Sequence, residues 1–211
     1  MEYVVLGWPA DGPTLRLDYR RFSYAGKFVM SNSGKVVVLD EPDGSQTLGD
    51  EAERRSDPKA GSTTFEDDVV AAISFNEDRT ESDAAWLRYI TVRADRRGEG
   101  IGPRLAAFAT ARLHERGYDR VRIAVNNPFA YQALHRAGFA FTGERTGIAE
   151  LVLAHPSDGE TRAVRYQDGL DAFREREGLA DAERSFLREK RDAGPPSPVR
   201  APEGSESGSD T

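Results

Sequence analysis

Between Trp86 and Leu113 the spacing of apolar residues changes period, and the change marks two elements. Trp86-Leu87-Arg88-Tyr89-Ile90-Thr91-Val92 is rich in β-branched and aromatic residues and predicts a strand. Ile101, Leu105, Phe108, Ala109 and Leu113 then recur at steps of three and four, predicting a helix with one buried face. The same reading predicts strands at 1–8, 35–39, 69–75, 120–125, 139–142 and 148–153. It predicts a short helix after Asn126-Asn127-Pro128, with an Asn cap and Pro in the first turn, closed by Ala137-Gly138-Phe139. Tyr19, Phe22, Ala25 and Val29 have helical spacing between Asp18 and Met30, and Ser31-Asn32-Ser33-Gly34 ends that helix. Further on, Tyr166, Leu170 and Phe173 suit one amphipathic helix, and Leu179, Ala182 and Phe186 a second.

These elements divide the chain into a domain over residues 1–155, a helical extension over 156–193 and a tail over 194–211. A polar, Gly/Pro/Asp-rich insertion at about 40–67 reads as a mobile loop, and the tail, almost without apolar residues, as disordered. The extension either caps the domain or forms a partner-binding arm.

The strand and helix around 86–113 are joined through Val92-Arg-Ala-Asp-Arg-Arg-Gly-Glu-Gly-Ile-Gly102. Gly98, Gly100 and Gly102 remove Cβ atoms where a helix begins, so backbone N–H groups approach an anion closely and the positive end of the helix dipole faces the same point. The stretch lacks the Lys-Ser/Thr that closes a P-loop. No acidic residue follows about twenty positions on, as a dinucleotide fingerprint requires.

Composition narrows the partners. The net charge of −7 argues against nucleic acid, which needs a basic stripe to displace counterions. With no cysteine, the chain has no disulfide, thiolate metal site or Cys nucleophile, and His114, His135 and His155 are too far apart in sequence for a local metal motif. His114, on a polar helix, reads as solvated. No apolar run approaches the roughly 20 residues of a membrane span, and the N-terminus lacks a basic segment before its apolar one. The reading is a soluble, cytoplasmic protein that uses no metal. Only Lys27, Lys35, Lys59 and Lys190 of the 29 basic residues are lysines. An acidic chain with Arg in place of Lys resembles proteins of halophilic archaea, although a GC-rich genome also favours Arg.

Arg97-x-x-Gly100-x-Gly102 after a strand ending Ile90-Thr91-Val92, with Asn127 eleven residues before Gly138-Phe139, resembles the GNAT superfamily of acyl-CoA-dependent N-acetyltransferases. The resemblance covers about residues 68–153. It implies an α/β (α+β) fold with a mixed, mostly antiparallel sheet flanked by helices. It also implies acetyl-CoA as co-substrate, with its diphosphate on Arg97, Gly98, Glu99, Gly100, Ile101 and Gly102, its pantetheine arm on the backbone of Ile90 and Val92, and Asn127 beside it. The acceptor is then an amine on a small molecule or a peptide, and a homodimer stays open.

The chemistry departs from the family pattern. The position of the family's Tyr general acid, four residues before Gly138, is Leu134. Tyr131 and His135 flank it one helical turn apart and are the candidate proton donors; with Ala130, Leu134 and Ala137 as the buried face, both turn toward the rim. Glu77, Asp78, Glu81 and Asp83 precede the cofactor strand and either reach the cleft through water or form a solvated turn. Two further readings stand beside the enzyme: an acyl-CoA-binding module without turnover, and an interaction protein using its C-terminal helices.

Overall fold

Successive side chains of a strand point to opposite faces, and the central strands are buried on both, so one sheet buries two different layers. The computed structural model describes residues 1–10, 12–40 and 68–207. Among the described residues there are eight strands: β1 (Glu2–Gly7), β2 (Gly34–Leu39), β3 (Val69–Glu77), β4 (Ala84–Val92), β5 (Arg120–Val125), β6 (Ala140–Arg145), β7 (Leu151–His155) and β8 (Ser205–Glu206). They form one sheet in the order β6-β7-β5-β4-β3-β2-β1-β8. Only the β4–β5 and β1–β8 pairs are parallel. The helices are α1 (Ile101–Glu115), α2 (Pro128–Arg136), α3 (Gly159–Arg174) and α4 (Asp181–Glu189). The architecture is the mixed, mostly antiparallel sheet flanked by helices that the family resemblance implies.

Tyr3, Val5, Val36, Val38, Ile73 and Leu87 meet Leu105 and Phe108 of α1 on one face. Val4, Val37, Val69 and Ala72 point the other way, against Leu15, Leu17, Phe22 and Phe28 from the segment between β1 and β2. That segment is not the expected helix. Residues 18–30 are turns with a single 3₁₀ turn at Ala25–Lys27. Phe22, Ala25 and Phe28 are buried at a spacing of three, whereas Tyr19 is 76% and Val29 44% exposed. Tyr24 has φ 60°, a left-handed conformation that no α-helix continues through. Lys35 fastens the following turn: its buried ammonium donates to Met30 O (2.8 Å), Ser33 O (2.7 Å) and Ser33 Oγ (2.8 Å). Burial lowers its pKa to about 8.

The insertion lies almost wholly outside the described residues. β3 and β4 are longer than expected, and β6 continues to Arg145. In the extension, Tyr166, Leu170, Phe173 and Leu187 enter the same core as α1. No helix among the described residues is long and apolar enough to cross a membrane.

Residues 195–207 depart from the expected disorder, and 208–211 lie outside the described residues. Val199 N donates to Arg136 O (2.6 Å), Ser207 N donates to Val5 O (2.9 Å), and β8 extends the sheet beside β1. Val199 and Ala201 pack on the core although they are isolated in sequence. A few well-placed backbone bonds hold a segment that composition alone reads as unstructured.

Truncation after Gly194 is expected to lower the unfolding free energy by about 1–3 kcal/mol. Gly204→Val is expected to act in the same direction, because a Cβ there overlaps Tyr3 O and comes within 2.7 Å of the Phe108 ring. Urea denaturation of both variants tests this; an unchanged midpoint in the truncated chain rules out a docked tail.

Candidate active site

The register of β4 opens the site. Ser74 faces Tyr89 and Phe75 faces Leu87, so Arg88 is a bulge, and the parallel pairing with β5 ends at Leu87–Ile123. Beyond that point the two strands no longer bond to each other. A groove of about 660 Å³ runs from the free end of β4 to the start of α1, with α2 as its opposite wall.

At the start of α1, Gly98 has φ +89° and Gly100, its N-cap, φ +74°. A side chain is strained at either position, and glycine is not. A Cβ on Gly98 meets nothing within 4 Å, while one on Gly100 lies 3.4 Å from Arg104 Nη2 and 3.7 Å from Arg136 Nη2. The space before this turn is therefore open and faced by guanidinium groups as well as by first-turn N–H groups. Gly102 lies within the helix, where a Cβ makes an ordinary contact with Val92. Arg104 donates to Gly100 O (3.1 Å) and Glu99 O (2.7 Å), and Arg97 donates to Val92 O (3.2 Å) and Ser23 Oγ (2.9 Å).

Ile90, Val92, Arg97, Gly98, Gly100, Ile101, Gly102 and Asn127 all line this one groove. Asn127 caps α2 by accepting from Ala130 N at 2.8 Å. Glu99 stands apart: it is not part of the lining, and its carboxylate pairs at 2.9 Å with Arg96, which is.

Tyr131 and His135 do not reach the groove, and their expected role as proton donors is corrected. Both are fully buried on the other side of α2, facing α3. Tyr131 Oη lies 3.1 Å from both Arg165 O and Tyr166 O, and Gly169 leaves room for its ring, since a Cβ there overlaps the hydroxyl. His135 packs its ring 4.6 Å from that of Tyr131 and 4.9 Å from that of Tyr166, with neither nitrogen bonded. Burial, reinforced by the Arg162 charge, lowers its pKa to about 3. Burial raises the Tyr131 hydroxyl. Ala130, Ala133 and Leu134 face the groove instead. α2 has apolar neighbours on both sides, and helical spacing does not say which side meets α3.

The acidic turn is structural. Asp78 accepts from Thr80 N (2.8 Å), Thr80 Oγ1 (2.7 Å) and Trp86 Nε1, and these bonds, first that from Thr80 N, hold its carboxyl well below the usual carboxylate range. Glu81 pairs with Arg122 at 2.8 Å and Glu77 accepts from Tyr118 at 2.8 Å. All stand near the start of β4, and none lines the groove. His114 is not solvated: its Nε2 lies 2.8 Å from His155 Nδ1, and its Nδ1 2.7 Å from Tyr118 O. Because Tyr118 O only accepts, the neutral His114 carries its proton on Nδ1 and His155 donates to it. Burial lowers the pKa of His155 to about 4.

Ser23, Tyr24, Arg96, Phe129, Arg136 and Phe186 are among the lining residues that the sequence reading did not place at the site. The Tyr24 ring packs, tilted, 5.8 Å from that of Tyr89, and the Phe186 ring 5.0 Å from that of Phe129. Arg136 sits one turn beyond Ala133 on the groove side of α2, which helical spacing had the means to find. Tyr24 and Phe186 come from distant segments and leave no local signal.

The pattern of the acetyltransferase (GNAT) family matches residues 28–139, just over half of the chain. A comparison with curated proteins found no match. Among solved structures the chain is similar to nourseothricin acetyltransferase, at 20% identity and a TM-score of 0.41, over 58% of this chain and 64% of that one. It thus spans less than two thirds of that relative's length. It is also similar to Tetrahymena GCN5, at 14% identity and a TM-score of 0.42, over 64% of this chain and 77% of that one. A third likeness is to the PaiA N-acetyltransferase from Thermoplasma acidophilum in complex with coenzyme A, at 17% identity and a TM-score of 0.36, over 41% and 53%.

His135 gives a pH prediction. Its folded pKa, about 3, lies below the ordinary value of about 6.5. Between these limits the unfolded chain binds a proton that the native state refuses, so stability falls as pH drops, by up to about 1.4 kcal/mol per pH unit. His135→Leu is expected to reduce that slope by about one proton. Urea denaturation from pH 6.5 to 4.5 reads it, and an unchanged slope shows that His135 is not held neutral.

Proposed function

The chain belongs to the acetyltransferase (GNAT) family, and from that premise we propose that it is an N-acetyltransferase that takes acetyl-CoA into the groove and passes its acetyl group to a primary amine. One observation carries the reading: an unpaired strand edge at Ile90–Val92 leads directly to a positive-φ glycine turn at a helix start, faced by Arg104 and Arg136. The glycine turn suits a diphosphate, and Arg136 adds a charge where phosphate oxygens would sit. The edge of β4 suits the amides of a pantetheine arm, and Ala130, Ala133 and Leu134 its apolar flank.

Acetyl transfer requires the amine nitrogen to attack the thioester carbon, the C–S bond to break, one proton to leave the nitrogen and one to reach the sulfur. The groove lining contains no Asp, Glu or His among the described residues. Its hydroxyls are Ser23, held by Arg97, Thr91, whose aliphatic hydroxyl is buried, and the exposed Tyr24, whose phenol makes no hydrogen bond to any described residue. Tyr24 is thus the group we assign to protonate the departing thiolate, with the amine proton passing to water. Orientation along β4 supplies the rest, since positioning alone contributes several kcal/mol.

The lack of a carboxylate or imidazole in the lining favours a second reading, a module that binds acyl-CoA without turnover. The acidic chain with arginine in place of lysine supports salt adaptation in a cytoplasm rich in ions, so assays belong at both low and molar KCl.

Acetyl-CoA is expected to be consumed with at least one member of an amine panel. Tyr24→Phe is expected to lower kcat by about 10- to 100-fold with little change in KM for acetyl-CoA. Gly100→Val is expected to weaken acetyl-CoA binding by about tenfold or more, because its side chain is strained at positive φ and fills the anion space. Binding without turnover selects the second reading, and calorimetry showing full acetyl-CoA affinity in a folded Gly100→Val variant overturns the placement of both.

A further inference from the structure

α4 separates the groove from a second cavity. It presents Phe186 to the groove and Leu187 to a concavity of about 320 Å³, at the lower end of the range for small-molecule sites. This second cavity is walled by Arg174, Arg176, Arg184, Arg188 and Arg191 over Leu179, and its lining holds no carboxylate. Five guanidiniums converge there in a chain whose net charge is −7.

Three of the five are fixed by the fold. Arg174 donates to Leu187 O (3.0 Å) and pairs with Asp171, leaving its buried Nε unpartnered. Arg176 donates to Asn126 O (2.7 Å) and Ala149 O. Arg184 donates to Leu179 O and pairs with Asp181. The guanidinium groups of Arg188 and Arg191 have no hydrogen-bond or ion-pair partner among the described residues. Asp171 and Asp181 offset two of the five charges and the carboxylates of Glu183 and Glu150 lie near Arg176, so the charge left over rests on Arg188 and Arg191. Glu183, the other acid at this end of α4, is occupied in capping Ala180 N at 2.9 Å. Such an arrangement repels itself unless an anion fills it, and the guanidinium fork matches phosphoryl oxygens in pairs.

We propose that this arginine-walled cavity is a second anion site, taking a small molecule that carries a diphosphate or two neighbouring phosphoryl groups. A single carboxylate balances only one of the two guanidiniums left over. The concave shape and small volume favour a compact ligand over an acidic peptide. The proposal does not rest on the function assigned to the groove, although the two sites share α4 as a wall.

Inorganic pyrophosphate is the probe, titrated calorimetrically into the full chain at low ionic strength. Arg188→Ser with Arg191→Ser is expected to weaken this binding by about tenfold or more, with an unchanged melting temperature because neither side chain has a partner to lose. Gly100→Val is expected to leave the site intact. Pyrophosphate binding that persists unchanged in the double variant, or that disappears only with Gly100→Val, overturns the proposal, as does preferential binding of a polyglutamate peptide. Pyrophosphate binding lost with the arginine pair, together with full acetyl-CoA affinity in Gly100→Val, leaves this site standing while the reading of the groove fails.

Discussion

A missing stretch of β-ladder organises this protein. β4 pairs with β3 along its whole length and with β5 only as far as Leu87, because the bulge at Arg88 re-aims the strand. Unpaired backbone groups inside a fold need partners, and the structure gives them access to a groove instead of to another strand. The same bulge delivers the chain to the turn at Gly98–Gly102, so the free strand edge and the anion-binding helix start lie along one continuous surface.

That surface needs a second wall, and α2 is held against it from behind. Tyr131 reaches the backbone of α3 through the space left by Gly169, and the His135 ring packs at an angle against those of Tyr131 and Tyr166 with neither nitrogen hydrogen-bonded. The two residues most suggestive of chemistry in the sequence are therefore the anchors of the wall. Arg162 and the C-terminal segment extend the brace, since Arg162 donates to His135 O (2.9 Å) and Pro196 O (3.0 Å) and Val199 donates to Arg136 O.

Arginine does structural work throughout. Arg97, Arg104, Arg162, Arg174 and Arg176 each direct guanidinium N–H groups at backbone carbonyls near helix ends or loops. Five donors in a planar fork suit that task, and lysine's compact ammonium serves it less well. The preference for arginine thus has a use in the fold beyond any effect on surface charge.

The sequence by itself determined the local features. Strand and helix periods, the Asn127 cap, the positive-φ turn at Gly98 and Gly100, and the closing Gly138 depend on residues close together in the chain, where sterics and hydrogen bonding act over a few positions. Tertiary structure decided which apolar side of α2 meets α3, and so removed Tyr131 and His135 from the groove. It also turned residues 18–30 into a covering loop whose Tyr24 faces the groove, joined His114 to His155, and docked Ser205–Glu206 on β1. Each of these depends on a partner far away in sequence, and hydrophobic spacing reports that a side chain is buried without saying against what.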